Sequence, residues 1–271
     1  MALNALRVVI ISTPESERSR VLESTLSGDL RFRLISLNAT VANTYRELEE
    51  LNLEYSQSKF KIFENRLMRP KEIACAYSHN LARKLIKDSN IGGLILEDDA
   101  RLLDTDKLFE IVSQFLKVKY NTSSILNLTG LNDFKLTSSK KSSFKKIYSV
   151  PNLAVGYALT PLAADELLAS NNPVTYVSDW PNSKVKFYIP SINIVVHGDD
   201  KTKSYILGNQ KDYRIGTSVG YKLKLIFFAP YIMGGFRFTS FLEYTKRVYL
   251  DRLFWHLERV RLKVLGYKIH E

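Results

Sequence analysis

Short apolar runs alternate with amphipathic stretches along the first two thirds of the chain, and run length separates strand from helix. Arg7-Val8-Val9-Ile10-Ile11 is too short for a helix and reads as a buried first strand. Ser12-Thr13-Pro14-Glu15 follows, a hydroxyl and a proline in first-turn position, with Glu15 spaced to close a capping box on Ser12. The expected helix carries Arg18, Val21, Leu22 and Thr25 and stops at Gly28, and Phe32 to Leu37 fits a second strand. A strand–helix–strand opening is how doubly wound nucleotide-binding sheets begin.

Residues 40–68 are polar and show no clear period. Pro70 then opens a helix whose Ile73, Tyr77, Leu81 and Leu85 fall at i+4 spacing and form its expected apolar face. Asn90-Ile91-Gly92-Gly93 makes the turn into Leu94-Ile95-Leu96, a wholly apolar run expected of a central strand covered on both faces. Another helix runs from Asp104 to Lys119 with Leu108, Ile111, Val112, Phe115 and Leu116 inward. Strands are expected at 124–128, 145–150, 154–159, 184–189 and 193–197, with a helix from Thr160-Pro161 and a Ser/Lys-rich loop over 133–146. Near the end, Leu250, Leu253, Leu257, Val260 and Val264 keep helical spacing. The fold class that follows is α/β with a mostly parallel central sheet over residues 1–205. A mainly helical, basic and aromatic extension is expected over 206–271.

Composition narrows the setting. The 271 residues are 45% hydrophobic and 25% charged, ordinary for a globular chain, and long enough to bury a core unaided. Cys75 is the one cysteine, so no intrachain disulfide forms and a reducing compartment is expected. The N-terminal apolar run is shorter than a signal segment, and no window reaches the ~18 apolar residues of a spanning helix. A cytoplasmic protein is expected, free or peripheral on the inner face of the membrane. The Asn-x-Ser/Thr sites at Asn38, Asn121 and Asn127 then carry no meaning.

The net charge of +11 is uneven: residues 221–271 hold ten Lys/Arg against four Asp/Glu, with 12 of the 31 aromatics. A basic, aromatic end fits an anionic membrane surface better than a nucleic-acid groove, and no nucleic-acid motif is present elsewhere. A packing or dimerising helix pair fits the same residues, giving a homodimer in place of a membrane contact.

Candidate chemistry concentrates in two places. Glu97-Asp98-Asp99 stands directly after the apolar strand, where open α/β sheets bind ligands. Three adjoining carboxylates repel one another unless a cation or basic side chains compensate, and hard cations such as Mn2+ and Mg2+ prefer carboxylate oxygens. A turn cap paired with Arg101 is the competing reading. The second place is Glu72-Ile73-Ala74-Cys75-Ala76-Tyr77-Ser78-His79. Nearly two helical turns separate Glu72 from His79, so both lie on one stripe, about a quarter turn from the apolar face. That stripe is expected at a cleft edge, against the alternative of ordinary rim residues.

Pro70–His79 followed by Leu94–Ala100 resembles glycosyltransferase family 25, whose pattern is a Glu-Ile-Gly-Cys-x-x-Ser-His helix and then a strand ending in Glu-Asp-Asp. Ser12–Arg18, Gly156–Thr160 and Val174–Asp179 are similar to flanking elements of that family, so the resemblance spans roughly residues 7–200. Ala74 stands where the family has glycine, and Ile11-Ser12-Thr13 replaces its asparagine-leucine ending.

The resemblance implies a GT-A-like fold and an inverting, metal-dependent transfer from a UDP-sugar, galactose favoured, to a saccharide or glycolipid acceptor. Mn2+ or Mg2+ is then expected on Glu97 and Asp99, with His197 completing the shell. Thr13, Arg18, Glu72, Ser78, His79 and Asp98 are the expected donor contacts. An inverting transfer needs a general base, for which Asp179 is the first candidate and Glu72 the second. Two other readings stay open: a non-catalytic membrane-surface scaffold on a transferase-like fold, and a metal-dependent nucleotidyltransferase. The absence of glycine from residues 8–20 disfavours the latter.

Overall fold

The computed structural model describes residues 5–58, 60, 66–129, 143–147, 154–177 and 185–198. Over these the chain runs β1 Leu6–Ser12, α1 Glu17–Ser27, β2 Phe32–Asn38, α2 Tyr45–Glu50, α3 Pro70–Lys87, β3 Gly93–Glu97 and β4 Ala100–Leu102. It continues with α4 Thr105–Lys119, β5 Ser124–Asn127, β6 Phe144–Ile147, β7 Gly156–Leu159, α5 Pro161–Asn171, β8 Lys186–Pro190 and β9 Val195–His197. The expected C-terminal extension, Asp179 and residues 133–142 of the expected loop lie outside the described residues.

Seven strands form one sheet in the order β2-β1-β3-β7-β5-β8-β6. β1 pairs in parallel with β2 and β3, and β5 with β8, whereas β7 and β6 run antiparallel to their neighbours. The mixed α/β sheet is therefore mostly parallel in direction, as expected, with β7 as a reversed strand wedged between β3 and β5. β4 and β9 form a separate antiparallel ribbon.

Alternation along the strands builds the two cores. Val9, Ile11, Ile95 and Ile125 point to one face with Ala82 and Ile86 of α3 and Leu167 of α5. Val8, Ile10, Leu94, Leu96 and Leu126 point to the other, against Leu22 and Leu26 of α1 and the predicted inward set of α4. Strands covered on both faces are continuously apolar, which is why β1 and β3 read as unbroken runs. Each fully buried aliphatic side chain contributes about 1.5–3 kcal/mol of transfer free energy, so these layers hold the sheet ends in place. A third, smaller cluster packs Leu48, Leu53, Phe60, Met68 and Val174 on the N-terminal half of α3.

Two local expectations are corrected. Ser12 does not cap α1: pairing of β1 with β2 extends to Ser12 opposite Asn38, and the helix starts four residues later with Ser16 as cap. The inward face of α3 is also different. Glu72, Ala76, His79, Arg83 and Ile86 are buried, whereas Tyr77, Leu81 and Leu85 remain partly accessible. Spacings of 4-3-4-3 put these five on one stripe. The supposed polar rim is thus the interior, because every polar member meets a partner there.

Candidate active site

The parallel strands β1 and β3 end side by side, with Ile11 opposite Glu97. Past these ends the chain turns into α1 on one side and through Asp98-Asp99 into β4 on the other. The ribbon carries His197 in from the far end of the chain, since Ala100 pairs with His197 and Gly198 N–H donates to the Asp99 carbonyl at 2.9 Å. Sequence positions 97–99 and 197 therefore meet by strand pairing, across a hundred residues.

The three carboxylates have three different environments. Asp98 is tied to the start of α1: Ser16 Oγ donates to its Oδ2 at 2.5 Å, and the Arg18 guanidinium lies at 3.2 Å. Ser16 also caps the helix, accepting from Ser19 N–H, so this acid sits beside the positive end of α1. Thr13 is half-buried in the turn before it, its carbonyl accepting from Ser16 N–H.

Asp99 faces His197, whose Nε2 lies 3.1 Å from Oδ2. His197 Nδ1 approaches the Gly198 carbonyl at 2.7 Å, an oxygen that only accepts, so Nδ1 carries a proton, and Nε2 faces Asp99 as a donor when the ring is cationic or as a lone pair when it is neutral. A proton or a cation must therefore lie between Nε2 and Oδ2. The other oxygen, Asp99 Oδ1, is buried with no hydrogen-bond partner. Burial first, and then the neighbouring Glu97, push the Asp99 carboxyl up to about 6, with His197 opposing.

Glu97 turns to a different partner. Its Oε1 lies 2.8 Å from His79 Nε2, and His79 Nδ1 lies 3.0 Å from the Tyr157 hydroxyl on β7. Burial, with the Asp98 charge adding, pushes Glu97 up to about 7, while His197 again opposes. Its side chain keeps 26% of its surface accessible, Asp99 17% and Asp98 18%, so all three are reachable from solvent. Tyr157 in turn accepts from Arg83, which also donates to Asn80.

Three expected donor contacts, Ser78, His79 and Glu72, are placed elsewhere by this geometry. Ser78 is enclosed, its hydroxyl donating to the Ala74 carbonyl and accepting from Thr40 N–H at 2.8 Å, so it anchors the segment after β2. His79 is fully buried and reaches the site only through Glu97. Glu72 closes the start of α3. Its two oxygens take four donors, two from Arg66 and two from Arg69, at 2.7–3.1 Å. Burial would raise its pKa, but these hydrogen bonds outweigh it and hold the carboxyl below the usual range. A carboxylate with its lone-pair directions filled is no proton acceptor. That counts against Glu72 as base or donor contact.

Sequence reasoning missed Ser16, Arg83 and Tyr157. A signal existed for two of them. Ser16-x-x-Ser19 is a usable cap, and a tyrosine in the small, apolar run Gly156-Tyr157-Ala158-Leu159 needs a buried partner for its hydroxyl.

The residues present fit a divalent cation at Asp99 and His197: an orphaned buried oxygen, an imidazole nitrogen beside its carboxyl group, and a carboxyl whose charge is disfavoured by burial and by Glu97. Among the described residues, the trio whose ligand atoms converge within 4.8 Å of one another is a different one, Cys75, His79 and Glu97.

The family model of glycosyltransferase family 25 (LPS biosynthesis protein) matches residues 7–180. That span covers β1 to α5 and thus the strand ends, the acidic triplet and the α3 stripe. No curated protein matches the chain significantly.

Proposed function

The chain belongs to glycosyltransferase family 25, a family of lipopolysaccharide biosynthesis, and from that premise we propose an inverting, metal-dependent hexosyl transfer from a UDP-sugar. UDP-galactose is the favoured donor, and the acceptor is a saccharide or lipid-linked glycan. The supporting observation is the acidic strand end, with Asp99 Oδ1 buried and unpartnered and His197 Nε2 beside the same carboxyl group.

In this reading a GT-A-like domain binds the donor across the ends of β1 and β3. Asp99 and His197 would hold Mn2+ or Mg2+, with Glu97 adding negative charge nearby. When bound, the cation neutralises the diphosphate and the charge that develops on it as it leaves. Arg18 and Asp98 would meet the nucleoside diphosphate or sugar at the positive end of α1, with Thr13 at the edge. The acceptor hydroxyl attacks the anomeric carbon, the bond from that carbon to the UDP oxygen breaks, and the hydroxyl proton passes to a carboxylate. With Glu72 filled by its arginines, Asp179 is the base. The basic, aromatic residues 221–271 would hold the enzyme at anionic lipid, where a lipid-linked acceptor lies.

The test is a panel of UDP-hexoses, scoring Mn2+-dependent hydrolysis and transfer. Asp99→Asn should lower both by about 100- to 1,000-fold, the loss typical of one charge-stabilising group. Asp179→Asn should lower transfer while UDP–Mn2+ binding stays. Unchanged turnover in Asp99→Asn would remove the metal assignment, and unchanged transfer in Asp179→Asn would remove the base.

A further inference from the structure

We propose that Cys75, His79 and Glu97 form a separate cation position, suited to a soft divalent ion such as Zn2+, which shares only Glu97 with the donor site. Cys75 and His79 are four residues apart on α3 and so project from the same face of the helix. Glu97, at the end of β3, supplies a carboxylate oxygen, and one ligand atom from each side chain falls within 4.8 Å of the other two. A tetrahedral zinc site with bond lengths of about 2.0–2.3 Å sets its ligand atoms roughly 3.3–3.8 Å apart, so closing the trio takes side-chain adjustments of about an ångström.

The ligand types select the ion. A thiolate and an imidazole with one carboxylate favour Zn2+ over Mg2+, whereas Asp99 and His197 lack the sulfur. The surroundings of His79 are also those of a metal-binding histidine. Its Nε2 faces Glu97, while its Nδ1 lies 3.0 Å from the Tyr157 hydroxyl, which can take the N–H and fix the ring. Tyr157 is itself buried and hydrogen-bonded to Arg83, so that outer partner is rigid. Cys75 and Glu97 are both partly accessible, which leaves a way in and a fourth position for water. On binding, the thiol proton leaves to solvent as the sulfur–metal bond forms, and His79 keeps its remaining proton on Nδ1.

Because Cys75 is the chain's one cysteine, alkylation of the full chain reports on this position alone. Zn2+ should slow alkylation about tenfold or more, while Mg2+ at the same concentration should not. Replacing Zn2+ with Co2+ should give a near-ultraviolet thiolate-to-cobalt charge-transfer band that is lost in Cys75→Ser. Glu97→Gln retains a hydrogen-bonding partner for His79 and should weaken the protection by about tenfold or more. Asp99→Asn should leave protection intact. Alkylation indifferent to Zn2+, no charge-transfer band, or protection unaffected in Glu97→Gln would each overturn the proposal. Protection lost in Asp99→Asn would also overturn it, by placing the ion at the donor site. Failure of the metal reading at Asp99 would not affect any of these readouts.

Discussion

Glu72 at the start of α3 and Glu97 at the end of β3 are both acids in protein surroundings, and they behave in opposite ways. Glu72 receives four hydrogen bonds from two arginines and is held below the usual carboxylate range. Glu97 has the His79 imidazole and two neighbouring acids, and burial first pushes it up to about 7. Desolvation acts the same way on both; the difference lies in whether positive charge has been built in beside them. The chain neutralises the acid it uses for structure. At the strand end it leaves a deficit that an arriving cation can fill.

The largest effect that would break this contrast is on folding. Glu72→Ala leaves Arg66 and Arg69 without their shared anion and removes the acceptor of the Arg69 N–H at the start of α3, so it should destabilise the chain by about 3–5 kcal/mol. Denaturant unfolding measures it. Glu97→Gln should not destabilise at neutral pH, because it deletes a charge that the fold has not compensated. If the two variants lost similar stability, the separation into structural and functional acids would be wrong.

A second, smaller effect is visible in pH. A carboxyl raised in the folded state takes up protons there that the unfolded chain has already released, so folding loses stability as pH climbs. For Glu97 this loss runs from its ordinary value near 4.5 up to about 7, and for Asp99 from 3.8 to about 6. Glu72 works the other way, its contribution vanishing only as pH falls below the ordinary range. Metal-free chain should therefore lose stability between pH 5 and 7.5, by on the order of 4 kcal/mol from the two acids together. Glu97→Gln should flatten that slope, and saturating Mn2+ should reverse it. A metal-free profile that rises between pH 5 and 7.5 would contradict the raised pair.

How much of this could be read in the sequence depended on whether a feature was local. Runs such as Val8–Ile11 and Leu94–Leu96, and the helical period of Leu108, Ile111, Val112, Phe115 and Leu116, place β1, β3 and α4 because burial on those elements follows their own periodicity. The short α2 went unread because its one buried side chain, Leu48, gives no period, although Thr44 and Glu47 form a usable capping pair. The reversed direction of β7 was hidden too, since an apolar strand does not declare which way it runs.

The site followed the same division. Glu97-Asp98-Asp99 was legible as a cluster, and the family pattern carried His79 with it. What the sequence hid were the pairings: Asp98 with Ser16, Asp99 with His197, and Glu97 with His79 and Tyr157. Glu72 and His79 allowed a rim reading, and Arg83 went unread, because hydrophobicity counts the residue and not its partner. Arg83 is among the most deeply buried side chains described, and its donors go to Asn80 and Tyr157. A helical stripe of this kind can be recognised only after the opposing strand is in place.

The smallest effect sharpens the comparison on the Asp98 side. Arg18 offers a guanidinium to an acid of the triplet, as Arg66 does to Glu72, but its side chain is 43% exposed against 27% for Arg66. It is also a single contact beside Ser16, where Glu72 has a four-donor cage. Exposed ion pairs are worth about 0–1 kcal/mol, so Arg18→Gln should shift unfolding by less than about 1 kcal/mol. Its effect belongs in donor binding. UDP affinity with Mn2+ present should fall by about three- to tenfold, because a half-exposed cation at the positive end of α1 is available to a diphosphate. Loss of stability with unchanged UDP affinity would return Arg18 to the structural group beside Arg66. The contrast would then hold for Glu97 and Asp99 but not for Asp98.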